Sequence, residues 1–394
     1  MNINICVNGT FRYPQYIREY ARAGALNKYY FSHRLGTNAK SLGIRRDQSD
    51  NIWFKEYALH AGLRILRSNR ENDLMVTLGD LWQAAVIAKW NDCHSVEAVI
   101  GQIADRVLTH AKRRGTATLG HPVNSHPATF ASLLNEEHYL LGIPPPAFRV
   151  SERRLVEIDT CDRLLVDSGF VQQSFIDNKF PVDRIHVVRP GGDLSRFYAR
   201  GEQDVDREVF RVVSVGAITP RKGHRYLLEA WSQLRLRNAE LVIVGPATEF
   251  SARIWRGFEG TFRHIDRIPN DQLRPLLASA SMFVLPSIED GYSQSPIEAL
   301  CVGVPVVVTS NNGSADAIID GVNGFVVPPR SPSRIAEVIQ KLYDSRSLAA
   351  ELGRNAAMGA ARSFNWTEYV RQVLEIHARL EHQSPIVKSG SISQ

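Results

Sequence analysis

Four short apolar runs in the second half of the chain constrain the fold more than any other feature: FRVVSVG (210–216), LVIVG (241–245), MFVL (282–285) and VPVVVT (304–309). A strand that is apolar on both faces must be covered on both faces. Parallel sheets flanked by helices do this. The intervening segments have helical spacing. Residues 223–234 put Tyr226, Leu227, Leu228 and Trp231 on one side. Residues 271–278, 296–301 and 315–319 read as further short helices, and 324–327 as another strand. This is the pattern of a Rossmann-like α/β domain, which binds ligands at the carboxyl ends of its strands.

The first half repeats the rhythm more loosely. Strands are expected at 2–7, 29–32, 96–100, 116–119, 163–167 and 185–189, with helices at 14–23, 81–90 and 127–141. Ser125 is placed to cap the last of these helices, with Pro127 in its first turn. Residues 33–78 show no clear period. A chain of 394 residues suits two domains of about 100–200 residues each. The expected division is an N-terminal Rossmann-like domain over 1–197, a polar linker over 198–209 and a C-terminal Rossmann-like domain over 210–364. A helix over 365–383 follows, then a disordered Ser-rich tail over 384–394.

Composition excludes several classes. Hydrophobic residues make up 44% and charged residues 22%, as in a soluble globular protein. No apolar run approaches the ~18 residues of a membrane span. The N-terminus has no basic segment before its apolar stretch, so no signal peptide is expected and a cytoplasmic location is. Cys6, Cys93, Cys161 and Cys301 form no CxxC pair, which argues against a zinc site or a disulfide framework. The net charge of +6 suits phosphorylated ligands. Lys and Arg are spread along the chain rather than clustered with aromatics, so nucleic acid is not an expected partner. Residues 55–70, with Arg64, Arg67 and Arg70, read first as a solvated helix face. Peripheral contact with an anionic membrane, at its inner face, is the second reading. Asp204-Val205-Asp206 lies in the linker and reads as solvated charge, so no metal is expected. No GxGxxG follows the first strand, which argues against NAD.

The chemistry concentrates in LPSIEDGYSQSPIEALCVGVPVVV (285–308). A strand leads into a polar Gly-containing loop and then a helix with Pro296 in its first turn. Free backbone N–H groups at such a start attract anions. Asp290 and Glu298 frame the loop. Glu298 reads either as a partner of the helix dipole or, with Asp290, as an acceptor for sugar hydroxyls.

This segment resembles the signature of the retaining GT-B glycosyltransferases of family four, the glycosyl transferases group 1. Pro286-Ser287 opens it, Asp290-Gly291-Tyr292-Ser293 stands for Glu-Gly-Phe-Gly, and Glu298-Ala299, Gly303 and Pro305-Val306-Val307 fall in register. VSVGAITPRKGHRYLLEAW (213–231) is similar to the family's Gly-turn and Lys-Gly motif. Arg189-Pro190-Gly191-Gly192-Asp193 resembles its interdomain crossing, and 312–328 its Asn-Gly block. The resemblance is clear over 160–380 and weak over 1–159.

It implies an α/β fold of GT-B type: two Rossmann-like domains across a cleft, with the C-terminal helix crossing back. It also implies retaining, metal-independent transfer from a UDP-, GDP- or ADP-sugar to a hydroxyl of a carbohydrate, lipid-linked or small-molecule acceptor, with no cofactor. Carried over by position, Glu298 binds the ribose, Lys222 the diphosphate, and Asp290 the donor sugar. Gly9, Thr10, Arg221, Gly291, Tyr292, Ser293, Gln294 and Ser295 complete the donor site. A histidine facing the donor sugar is either His126, the first choice, or His121; the catalytic set is then His126, Asp290 and Lys222. Two positions depart from the family: Asp290 is one methylene short of the usual Glu, and Ala217 stands where an Arg is common. A non-catalytic sugar-binding subunit, or an epimerase or phosphorylase on the same fold, is the alternative.

Overall fold

The computed structural model describes residues 1–381 other than Thr10, Leu35, Gln102 and segments 66–70, 145–147 and 205–207. The expected tail over 384–394, the candidate Thr10, and Arg67, Arg70, Val205 and Asp206 lie outside the described residues.

Two parallel sheets account for the apolar runs. The N-terminal sheet contains β1 (Ile3–Val7), β2 (Leu26–Phe31), β3 (Ser49–Asn51), β4 (Ser95–Ile100), β5 (Ala117–Pro122), β6 (Arg163–Val166) and β7 (Ile185–Val187). Its spatial order is β3-β2-β1-β4-β5-β6-β7. The C-terminal sheet contains β8 (Phe210–Val215), β9 (Ala239–Val244), β10 (Arg263–Ile265), β11 (Met282–Leu285), β12 (Val306–Thr309) and β13 (Gly324–Val327), in the order β10-β9-β8-β11-β12-β13. Every pairing is parallel. In each sheet the order reverses beside the first strand, between β1 and β4 and between β8 and β11. Crevices for ligands open at such points.

The two-residue period of the strands divides each sheet between two cores. Val212, Leu241, Ile243, Met282, Val284 and Val307 pack on one face of the C-terminal sheet; Val213, Val242, Val244, Phe283, Leu285 and Val308 pack on the other. In the N-terminal sheet Ile3, Ile5, Val7, Val99 and Leu119 face one core, and Cys6, Val96, Ala98, Ile100 and Leu164 the other. The last helix, Trp366–Glu381, leaves the C-terminal domain and joins that first core through Tyr369, Val370, Val373, Ile376 and Leu380. Trp366 stacks on Tyr16 at 4.8 Å. No described helix is long and apolar enough to cross a membrane.

Three expectations shift. The helix expected at 81–90 runs from Glu71 to Ala88. At Gly79 the missing Cβ lets the Ile103 side chain pack against the helix. The patternless stretch 33–78 holds β3 and helices Ala39–Leu42 and Phe54–Ile65. Residues 315–319 lie largely in a 3-10 turn, Gly313–Ala317, begun by the Asn312 side chain accepting from the Ser314 N–H at 3.0 Å.

Gly223 and Gly24 share a φ of +68°, but only at Gly223 would a Cβ overlap another group, the Pro286 carbonyl. Gly24→Ala therefore costs about 1 kcal/mol of backbone strain. Gly223→Ala is expected to lower the melting temperature clearly more, and equal losses in a thermal unfolding series would contradict this packing.

Candidate active site

β8 and β11 are neighbours, and the loops leaving them are zipped together. After Val215 the chain makes a 3-10 turn, Pro220–Lys222, which Gly223 ends. After Leu285 it runs through 286–293 into the helix Gln294–Val302. The Ile288 N–H donates to the Arg221 carbonyl at 2.8 Å. This register brings the basic pair of one loop onto the acidic pair of the other. Lys222 Nζ pairs with Asp290. Arg221 lies 3.1 Å from Glu289 and 3.9 Å from Asp290. Burial works against the charge on Asp290, but Lys222 and Arg221 outweigh it and hold the carboxyl below its ordinary range. Glu289 goes the other way: burial dominates and raises it, with Arg221 opposing.

The remaining donor-site candidates group on this loop. Tyr292 is buried, and its hydroxyl reaches the Pro190 carbonyl at 3.4 Å. Ser293 is the N-cap residue of Gln294–Val302, and the Ser295 hydroxyl donates to the Val215 carbonyl at 2.9 Å. Gln294 Nε2 is buried without a partner. Across the cleft, Gly9 follows β1 with φ +148°. Gly291 rests against the Val123 carbonyl, where a Cβ would overlap it, and its own carbonyl accepts from Ser168 Oγ at 2.8 Å.

Glu298 changes character once the helix start is fixed. The expected start at 296 put it in the first turn. The helix begins at Gln294, so Glu298 lies a full turn in, where the dipole contributes little. It has no hydrogen-bond partner among the described residues. Burial raises its pKa to about 7, with Arg196 opposing and Asp193 adding to the rise.

The two histidines separate. The His126 backbone caps the helix Pro127–Leu140, and its Nδ1 accepts from the Ala128 N–H at 3.2 Å. The ring lies edge-on to Phe175 at 5.2 Å and is buried. His-Pro at a helix start suits capping as well as catalysis, and capping is the role these contacts show. His121 ends β5 within a buried charge network. Its Nε2 is 3.0 Å from Asp167 Oδ1, and its Nδ1 is 3.1 Å from the Tyr13 hydroxyl. Burial opposes the imidazolium, but Asp167 and then Glu97 outweigh it and raise the pKa to about 9. Arg12 pairs with Asp167 and lies 5.6 Å from the Tyr292 ring, so the network reaches the donor loop. At its far end Glu97 accepts from Tyr13 at 2.5 Å and Tyr20 at 2.8 Å, and lies 3.2 Å from His377 on the last helix.

Sequence reasoning missed Arg12, Glu97, Asp167 and Glu289 as partners. Glu97 left a signal, a charge inside the apolar run SVEAVI. Glu137 is also buried at the interface, accepting from Tyr226 at 3.1 Å and Arg330 at 2.8 Å. No group of residues suited to hold a metal ion occurs among the described residues.

Two facing Rossmann-like domains with a last helix returning to the first define the GT-B fold. Sucrose-phosphate synthase of Thermosynechococcus elongatus superposes with a TM-score of 0.72 at 16% identity, covering 96% of this chain and 99% of that one. HepE of Anabaena, solved with UDP, gives 0.69 at 15% identity over 96% and 100%. Within that class, sequence comparison identifies one domain. Residues 198–358 match the family described as Glycosyl transferases group 1, so the chain carries a domain of that family. A D-inositol 3-phosphate glycosyltransferase of Streptomyces scabiei is 28% identical over 265 residues, 61% of this chain and 58% of that protein. A mannosyltransferase of Mycolicibacterium hassiacum, MMP alpha-(1->4)-mannosyltransferase, is 28% identical over 55% and 53%. The chain thus spans somewhat over half the length of these relatives.

The network makes a pH prediction. A histidine raised from its ordinary pKa to about 9 contributes stability that is fully present below about 6.5 and is lost as pH rises through about 9. Wild-type protein should lose several degrees of melting temperature between pH 6.5 and 9.5, and His121→Gln should lose less over that interval. Parallel curves for the two proteins would show that His121 is not held charged.

Proposed function

We propose that the protein transfers a glycosyl unit from a nucleoside diphosphate sugar to an acceptor hydroxyl, with retention at the anomeric carbon and without a metal ion. The observation that carries this is the pairing of Lys222 with Asp290 beside the start of the helix Gln294–Val302, with the unpartnered Glu298 one turn along it, at a sheet's switch point. Glu298 offers two acceptor oxygens to a ribose diol. The N–H groups opening Gln294–Val302 and the Lys222 ammonium suit a diphosphate.

Lys222 is neutralised by Asp290. An arriving diphosphate competes for Lys222 and frees Asp290 to accept hydrogen bonds from sugar hydroxyls. The bond from the anomeric carbon to the diphosphate oxygen then breaks. The acceptor oxygen attacks from the same face, and its proton passes to the departing phosphate oxygen. Negative charge grows on the diphosphate, where Lys222 and the helix start stabilise it. Arg221, committed to Glu289, is assigned to the interface more than to phosphate. Of the two histidines we favour His121, acting through Asp167 and Arg12 beneath Tyr292. For the acceptor we assign a cavity of about 350 Å³ beside the loop after β5, lined by Asn124, Ser125, Phe130, Phe148 and Arg154. A carbohydrate or lipid-linked acceptor suits its mixture of aromatic and polar walls.

A UDP-sugar is the first donor to test, because HepE was solved with UDP and with UDP-glucose. Incubation with a donor panel and mixed acceptors should release free nucleotide, and EDTA should leave the rate unchanged. Lys222→Ala should lower turnover about 100-fold or more, the usual loss when one group stabilising a transition-state charge is removed. Glu298→Ala should weaken nucleotide binding about 10-fold, as loss of a charge-assisted hydrogen bond does. Unchanged nucleotide affinity in both variants would remove the site assignment. Binding without turnover for every donor would favour the non-catalytic subunit.

A further inference from the structure

We infer that Glu289 is a positioning residue that ties the donor loop to the N-terminal domain and so couples closure of the cleft to exclusion of water from it. The inference rests on the glycosyltransferase reading for its consequence, though not for the contact itself.

Three observations carry it. Glu289 sits on the C-terminal domain, yet its Oε1 accepts from the backbone N–H of Ser125, on the N-terminal domain, at 2.9 Å. Its Oε2 accepts from Arg221 Nη1 at 3.1 Å, and the same nitrogen lies 3.4 Å from Asn124 Oδ1. The residue is 0% exposed, and its Oε1 keeps a protein partner only while the domains stay together, whereas Oε2 is held by Arg221 of its own domain. The adjacent backbone leaves no slack: Gly291 lies against the Val123 carbonyl. Residues 123–125 are thus clamped between the donor loop and the helix that begins at Pro127.

The energetics suit a switch rather than a brace. Closing the cleft removes the Glu289 carboxylate from water, a cost that its two hydrogen bonds and the Arg221 charge offset. Opening rehydrates it. Differential contacts of a bound donor with the open and closed states can then decide between them. The nearest carboxylate, Asp290, is already held by Lys222 and cannot take this part. Removal of the latch should leave nucleotide binding nearly intact. It should let water reach the anomeric carbon, so that donor hydrolysis competes with transfer.

The test compares wild type with Glu289→Ala, Glu289→Asp and Glu289→Gln in the full chain. Hydrogen exchange of the peptide spanning 119–130, without ligand, reads the contact. The ratio of donor hydrolysis to transfer, with UDP-glucose or whichever donor wild type turns over, reads its consequence. Glu289→Ala is expected to speed exchange at this loop and raise the ratio at least 5-fold, with nucleotide affinity within about 2-fold of wild type. Glu289→Gln keeps an acceptor for Ser125 but turns an NH2 donor toward Arg221, and should give a ratio between those of wild type and Glu289→Ala. Glu289→Asp keeps the charge for Arg221 but falls one methylene short of Ser125; it should speed exchange and raise the ratio in the same direction, and it carries the test if the Ala variant does not fold. Unchanged exchange in the Ala and Asp variants overturns the latch. Faster exchange with an unchanged ratio overturns its coupling to water exclusion. If wild type turns over no donor and binds no nucleotide, the glycosyltransferase reading fails, and with it the role in transfer, whatever the exchange data show.

Discussion

The site depends on one close approach, where the loop after β8 meets the loop after β11. Gly223 must lack a side chain because the Pro286 carbonyl occupies that space, and the Ile288 N–H closes the pairing on the Arg221 carbonyl. Once this register is set, Lys222 and Asp290 meet, and so do Arg221 and Glu289. The helix Gln294–Val302 then starts beside them. Slippage of either loop would separate both pairs at once and leave buried charges uncompensated, which costs more than either pair contributes. The charges therefore make the register specific more than they make the fold stable.

The N-terminal domain meets this arrangement with a buried network of a different kind. Two carboxylates, Glu97 and Asp167, are held ionised below the cleft by His121, His377 and Arg12. Every member is nearly inaccessible, and the partners come from β4, β5, the end of β6, the first helix and the last. The last helix thus brings His377 into the same network that reaches Tyr292 through Arg12. A chain segment following the C-terminal domain is linked, through hydrogen bonds and ion pairs, to the floor of the donor loop. Low dielectric strengthens the bonds of such a network, although Arg12 Nη1 stays buried without a partner.

The sequence exposed these features unequally. The C-terminal strands were legible because a run such as LVIVG has no alternative to burial on both faces, and Lys222, Asp290 and Glu298 were legible because their motifs fix their spacing. The first turns of the helix Glu71–Ala88 fall in the stretch 33–78 that shows no clear period, and the packing at Gly79 depends on Ile103, from a loop more than twenty residues on. The partners of Glu289 lie 164 residues away at Ser125 and 68 away at Arg221, distances at which no local pattern operates. The histidines show the same limit. His126 has the more suggestive neighbourhood, a Pro and a helix start, yet capping claims its ring. His121, inside a strand, meets Asp167 only through the pairing of β5 with β6.

Three carboxylates within ten positions illustrate how environment assigns different roles to similar groups. Asp290 is paired with Lys222 and held ionised, so it can exchange that partner for a ligand. Glu289 is buried between two domains, one oxygen held by Arg221 of its own domain and the other by the Ser125 N–H across the cleft. Glu298 is desolvated with no hydrogen bond, and its pKa is raised to about 7. A carboxylate left in that condition is stabilised by any ligand that brings hydroxyl donors, and a ribose diol brings two on adjacent carbons. The shorter Asp290 fits the same logic: it reaches Lys222 within its own domain, which leaves the span to the N-terminal domain to the longer side chain of Glu289.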